Sequence, residues 1–289
     1  MKERGVSLSA RVVASSRAVE SEQPRATRVC DDPYARCFLG GRLYLVGALP
    51  VPKRLGLWLQ RLVAPGFHDY FVARTAFIDD AVSATVASGI SQVGILGAGY
   101  DSRAYRLRAL RAAKVLEVDH PATQQEKIAR VRQCVGKPPA HVTFVPMDFD
   151  AESLEIALSR TSYDRDARTL FVWEGVTPYL NGPAVEATLE FVARSVHDSM
   201  LIFDYLDEDV LARKTERREL VRWVDRTQKM SEPVRFGIKP SNLEDFISSR
   251  GLTLIGHARS ADLDRLYFRP FNGRRWATPG FAIAQARVP

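Results

Sequence analysis

The stretch Gln92-Val-Gly-Ile-Leu-Gly-Ala-Gly-Tyr-Asp-Ser-Arg103 constrains this chain more than any other. Its short apolar run, Val93 to Leu96, has the length of a buried strand. The run breaks at Gly97-Ala98-Gly99, and a polar, helix-compatible segment follows from Asp101 to Leu110. Strand, glycine turn and helix in that order bring backbone close to a nucleotide-like ligand. A second expected strand, Lys114 to Asp119, ends in a carboxylate about 20 residues past the first glycine, the spacing from which an acid reaches ribose hydroxyls. The full dinucleotide fingerprint has a third glycine, and its place here falls near Ser102 and Arg103. That glycine serves a pyrophosphate-binding turn, so its absence counts against a dinucleotide such as NAD. A ligand with ribose and adenine but no phosphate, such as S-adenosylmethionine, needs only the two glycines and the acid. A plain tight turn is the competing reading of Gly-x-Gly by itself.

Around this stretch the pattern alternates. Strands are expected at 93–97, 114–119, 142–147, 169–174, 200–205, 252–257 and 281–287, with helices near 102–110, 121–135, 151–160, 182–196 and 240–250. Alternation of this kind predicts an α/β fold with a parallel, doubly wound sheet. Helices are also expected at 6–22, from Asp32-Pro33 onward, around Trp58 and from about 69 to 87. The whole chain, 1–289, reads as one domain: N-terminal helices over 1–90, a sheet core over 91–206 and 237–289, and a charged helical cap inserted at 207–236. Ligands of such sheets sit at the carboxyl ends of the strands. Those ends carry the two glycines, Asp119, Asp148-Phe149, Glu174 and Asp204. Asp119 is placed to hold a ribose, Asp148 to accept from an adenine amino group beside Phe149, and Glu174 to pair an ammonium. Each acid has a plainer alternative as a helix N-cap. Arg74 lies among apolar residues of its helix, where a charge needs a partner; it either meets a carboxylate of the site or pairs outward with Asp79 or Asp80. Arg17, taken alone, is a surface arginine.

Composition narrows the class. At 46% hydrophobic and 26% charged, the chain can bury a full core. No apolar run reaches the roughly 18 residues of a membrane span, and the N-terminus has no apolar signal core, so the cytoplasm is the expected location. Cys30, Cys37 and Cys134 are odd in number with no Cys-x-x-Cys, which predicts reduced thiols. The five histidines are scattered and no metal site is expected. The net charge of +7 permits an acidic partner without requiring one. Its densest basic run, Arg213 to Lys229, is interrupted by Glu216, Glu219 and Asp225 and reads as a solvated helix face, with i,i+3 and i,i+4 pairs expected, rather than a phosphate-binding stripe.

Arg74-Thr-x-x-Ile-Asp79, Leu96-Gly-Ala-Gly-Tyr-Asp-Ser-Arg103, Glu117-Val-Asp-His-Pro121, Met147-Asp-Phe149 and Glu174-Gly-Val-Thr-Pro-Tyr-Leu180, taken in order, resemble the leucine carboxyl methyltransferase family. The nearer likeness is to its bacterial branch, which includes carboxyl O-methyltransferases of polyketide biosynthesis. The resemblance spans nearly the whole chain, Arg17-Ala-Val-Glu20 and Asp32-Pro-Tyr-Ala35 included. It implies a seven-stranded class I methyltransferase sheet of Rossmann-like form and S-adenosylmethionine as methyl donor. It also implies roles by position: Arg17 and Arg74 for the methionine carboxylate, Gly97 for the glycine-loop contact, Asp119 for the ribose, Asp148 and Phe149 beside adenine, Glu174 after the fourth strand, and Tyr179 near the substrate carboxylate. Gly99 is added as a cofactor-binding residue from the Gly-x-Gly turn itself.

A carboxylate acceptor, with an unperturbed pKa around 4, is ionised near neutral pH and needs no general base. A phenol, with a pKa near 10, would want one. No histidine or lysine occurs in the Glu174–Leu180 motif, and His120 follows the ribose acid at the far end of the cofactor. The reading is therefore a methyltransferase acting on a small-molecule carboxylic acid of secondary metabolism. A phenol or hydroxyl acceptor is the alternative, and a methyltransferase-fold RNA- or protein-binding module a third. Neither a nucleic acid nor a membrane is expected as partner, and the oligomeric state is open.

Overall fold

The computed structural model describes residues 8–39, 65–229 and 233–289. The expected short helix around Trp58 lies outside these residues. Seven strands form one sheet: β1 (Gln92–Leu96), β2 (Lys114–Asp119), β3 (Val142–Pro146), β4 (Thr169–Trp173), β5 (Met200–Leu206), β6 (Thr253–Arg259) and β7 (Phe281–Arg287). Their order is β3-β2-β1-β4-β5-β7-β6. The pairs among β3, β2, β1, β4 and β5 are parallel, whereas β7 runs antiparallel to both β5 and β6. The expectation of a parallel sheet is corrected at that edge. Periodicity reports which residues face the core but not the direction of a strand, and β7 enters between β5 and β6 from the opposite side.

Alternation along each strand feeds two cores, one on each face of the sheet. Val93, Ile95, Val115, Leu170, Val172 and Ile202 join the core under the N-terminal helix and the helix Phe67–Ala87. Leu96, Leu116, Val118, Phe171, Trp173 and Phe203 join the other. Residues of β1 and β4 are all buried, which is why these strands read as unbroken apolar runs. The helix expected at 102–110 is broken, with a short turn Arg103–Arg106 followed by a 3-10 turn Arg108–Ala112. The segment between β6 and β7, for which no element was expected, is a run of short helical turns beginning at Ser260–Leu263.

After β5 come two helices, Glu208–Leu211 and Arg218–Gln228. Two pairs there have neither i,i+3 nor i,i+4 spacing: Arg213 meets Asp225 across elements at 2.9 Å, and Arg217 meets Glu219, two residues on, at 3.8 Å. No helix among the described residues is long and apolar enough to cross a membrane.

The expectation of reduced thiols fails for two of the three cysteines. Cys37 and Cys134 form a disulfide with Cα atoms 5.8 Å apart, while Cys30 is free and buried. The partners are 97 residues apart in sequence, so no local motif announces the pair. The bridge ties the segment after Asp32 to the C-terminal end of the helix Pro121–Cys134.

Candidate active site

The glycine loop needs its glycines. Gly97 has φ +66°, and a Cβ there would lie 2.2 Å from Val176 Cγ2. Gly99 has φ +43°, and its Cβ would lie 3.1 Å from Ala10 Cβ on the N-terminal helix. The loop is thus packed between that helix and the turn after β4, at a separation only glycine permits. The loop backbone then meets the acid of β2: Gly99 N–H donates to Asp119 Oδ2, and His120 N–H donates to Oδ1 at 2.6 Å. Each oxygen keeps a lone pair for a further donor. Burial pushes the Asp119 carboxyl above the usual carboxylate range, against the pull of these two N–H groups.

The strand-end acids are not spent as helix caps. Helix Pro121–Cys134 is capped by His120, helix Leu154–Ser159 by Ser153, helix Gly182–Ala193 by Asn181 and helix Glu208–Leu211 by Asp207. That leaves Asp119, Asp148, Glu174 and Asp204 in a row along the rim, in the spatial order β3, β2, β4, β5 with the glycine loop of β1 in the middle. Asp148 accepts from Asp150 N at 3.0 Å and lies 3.9 Å from His120 Nε2.

Arg74 takes the inward of its two options. It is 3% exposed, its Nε donates to Glu174 at 2.9 Å and its Nη1 to Asp204 at 2.5 Å. Its Nη atoms lie 3.5 Å from where a Cβ on Gly175 would sit, and Gly175 has φ +70°. The outward partners are taken by others: Asp79 by Arg103 and Arg106, and Asp80 by the Tyr267 hydroxyl. Arg17 is likewise no surface residue. It is buried, with Nε on Asp32 at 2.8 Å and Nη2 on the Tyr100 carbonyl at 2.5 Å. Asp32 also accepts from Tyr34 N, Ala35 N and Ser102 Oγ, so one acid both caps its turn and anchors the arginine.

Arg103 is the residue that sequence reasoning missed. It stands one residue past Ser102, which takes the place of the third glycine of a dinucleotide loop, and it donates to Asp101, Asp79 and Glu174. Its presence in the same twelve-residue stretch was the available signal; Asp101 is two residues away, but Asp79 and Glu174 come from elements 24 and 71 residues off. Burial alone would push Glu174 up, but the Arg103 and Arg74 guanidiniums outweigh it and hold the carboxyl below its ordinary value.

These groups border one cavity of about 410 Å³, a size usual for a small-molecule site. Arg17, Arg74, Gly97, Gly99, Asp119, Asp148, Phe149, Glu174 and Tyr179 all line it. Tyr179 ends the 3-10 turn Thr177–Tyr179. That turn is pinned from both sides: Thr177 Oγ1 donates to the Asp204 carbonyl at 2.6 Å, and the Arg235 and Phe236 N–H groups donate to the Pro178 carbonyl.

A glycine-loop sheet of this strand order, with an acid ending β2, defines the class I methyltransferase fold, and a cradle closed to any Cβ beside an acid with spare acceptors suits the adenosine of S-adenosylmethionine. Similarity to known proteins agrees. Residues 10–193 match the leucine carboxyl methyltransferase family model. A protein of Mycolicibacterium paratuberculosis, named provisionally as an S-adenosyl-L-methionine-dependent methyltransferase, is 31% identical over 222 residues, 73% of this chain and 68% of that protein. One of Mycobacterium tuberculosis with the same provisional name is 31% identical over 189 residues, 62% of this chain and 58% of that protein. This chain therefore spans about three-fifths to two-thirds of the length of these relatives. Among solved structures, a provisionally named methyltransferase from Thermobifida fusca superposes with a TM-score of 0.61 at 14% identity, covering 99% of this chain and 96% of that one. A DUF574 family protein from Streptomyces avermitilis gives 0.59 at 15% identity, covering 94% and 100%. The chain belongs to the leucine carboxyl methyltransferase family, a group of S-adenosylmethionine-dependent methyltransferases.

Proposed function

We propose that this protein is a carboxyl O-methyltransferase acting on a small-molecule acid of secondary metabolism. The observation that carries the reading is that the rim acids, freed from capping, and the motif residues of the resemblance border a single cavity. When bound, S-adenosylmethionine supplies a methyl group whose carbon–sulfur bond breaks with its electron pair left on sulfur, so an acceptor that is already an anion needs no base.

In this reading Asp119 accepts from the ribose hydroxyls, Asp148 and Phe149 flank the adenine, and the glycine loop gives the backbone room to approach. Arg17 and Arg74 hold the methionine carboxylate. For Arg74 the support is its place on the cavity wall, with Nε and Nη1 held by Glu174 and Asp204. Glu174 sets that guanidinium's position and lends negative charge near the cofactor's ammonium. Tyr179, on its pinned turn, orients the acceptor carboxylate, and the cap excludes water from an in-line displacement.

A hydroxyl acceptor fits less well. His120 is the one histidine bordering the cavity among the described residues, and its Nδ1 accepts from Ala122 N while Nε2 faces Asp148, at the adenine end of the proposed site. Incubating the protein with labelled S-adenosylmethionine and a panel of small carboxylic acids and phenols, with mass spectrometry of products, tests the reading. Ester formation with a rate flat above about pH 6 is expected. Ethers alone, with a rate rising toward the phenol pKa, would replace it with the hydroxyl reading.

A further inference from the structure

The sheet order divides the cavity. β2 and β3, which carry Asp119 and Asp148, lie to one side of β1, and β5 and β7 lie to the other. On the β5–β7 side the lining changes character. Phe71, Trp223 and Phe281 line the cavity there, with Pro178 and Tyr179 from the turn after β4. Trp223 comes from helix Arg218–Gln228 and packs edge-on against Phe281, centroids 5.3 Å apart at 75°, and at 5.6 Å against Phe67. Phe281 in turn stacks on Tyr70 at 4.9 Å. Packed on two sides, the indole is held as a fixed aromatic shelf, a low-entropy surface for a flat ring.

One turn after Trp223 on the same helix face stands Arg226, which also lines the cavity. The other arginines on the wall already face carboxylates: Arg17 has Asp32, Arg74 has Glu174 and Asp204, and Arg235 lies 3.8 Å from Asp150. Among the described residues the Arg226 side chain makes no hydrogen bond or ion pair, and it is exposed. An aromatic shelf with one uncommitted cation beside it is complementary to a planar ring bearing an anion.

We infer that Trp223 and Arg226 form the acceptor subsite and select an aromatic carboxylic acid, with Arg226 the specificity-determining charge. The inference rests on the carboxyl-methylation reading for the fate of the ligand but not for its binding. It carries a consequence for turnover: methylation removes the acceptor's charge, so the ester loses the Arg226 pairing that held the acid.

Equilibrium binding separates the parts. With S-adenosylhomocysteine present, biphenyl-4-carboxylate is expected to bind the parent more tightly than biphenyl-4-carboxamide or the methyl ester. Arg226→Gln should weaken the acid about 10- to 100-fold, the loss of a charge-assisted hydrogen bond, and leave the amide and S-adenosylhomocysteine unchanged. Arg226→Lys should recover part of the loss. Trp223→Ala should weaken acid and amide alike. If the parent binds neither probe, binds acid and amide equally, or loses both equally in Arg226→Gln, the subsite is wrong. If the acid binds through Arg226 yet no ester forms with S-adenosylmethionine, the subsite stands and the carboxyl-methylation reading falls.

Discussion

Two clusters of buried charge in this molecule look alike and do different things. Along the sheet rim, Arg74 and Arg103 are clasped by Glu174, Asp204, Asp101 and Asp79. Away from the rim, Arg275 donates to both oxygens of Glu20 at 2.9 and 3.0 Å and to Asp69 at 2.9 Å, under Phe268 and Phe271, with His68 3.2 Å from Glu20. Both clusters are largely buried, and each holds an acid below its ordinary value, Glu174 in the first and Glu20 in the second. Burial pushes Glu20 up, but its hydrogen bonds to His68 and Arg275 and the Arg275 charge take it down to about 2. Perturbed titration therefore does not by itself mark a functional site. What separates the two is a neighbouring hollow: Arg74, Glu174, Asp204 and Asp101 border the cavity, while Glu20, His68, Asp69 and Arg275 do not. The second cluster joins the N-terminal helix, the start of the helix Phe67–Ala87 and the segment before β7.

Breaking each cluster should therefore give opposite signatures. The largest effect is expected from Arg275→Met, which strands Glu20 and Asp69: a loss of about 3–5 kcal/mol in urea unfolding, with affinity for S-adenosylhomocysteine unchanged in the folded protein. A change in that affinity comparable to a rim variant's would erase the distinction. Next, Asp119→Ala should cost about 1.5–3 kcal/mol of cofactor binding by calorimetry with little change in melting temperature.

The pH dependences should also diverge. Glu20 has a folded pKa of about 2 against an ordinary 4.5, so its contribution to stability is present above pH 4.5 and lost as pH falls toward 2. Arg275→Met should flatten that acid limb in urea titrations at successive pH values. Asp119 moves the other way. Its carboxyl is raised, and under the proposed role it takes the ribose when ionised, so S-adenosylhomocysteine affinity should fall on acidification at a pH above the usual aspartate range, and Asp119→Asn should remove the dependence. The smallest effect is expected from Tyr179→Phe: cofactor affinity unchanged, and acceptor turnover or affinity reduced by the roughly 0.5–1.5 kcal/mol of one hydrogen bond.

Much of the rim was legible before any coordinates. Strand periodicity located all seven strands, and the residues that end them follow from where each apolar run stops. Arg74 was legible as a question, because a charge among Phe71, Ala73 and Ile78 demands a partner, but not as an answer. Its partners come from β4 and β5, 100 and 130 residues on. Arg17 was less legible still, since one helix turn cannot show that Asp32 and the Tyr100 carbonyl will close over it.

Local pattern, then, determined the elements and the identity of the groups at their ends, because period, turn chemistry and strand length act over a few residues. Pairing was decided only by assembly. The antiparallel course of β7, the bridge between Cys37 and Cys134, the choice of inward over outward partners for Arg74, and the meeting of Trp223 with Phe281 all join residues whose separation along the chain leaves no trace in either segment. Each of these contacts depends on burial shared between two distant pieces, and that energy exists only once both are in place.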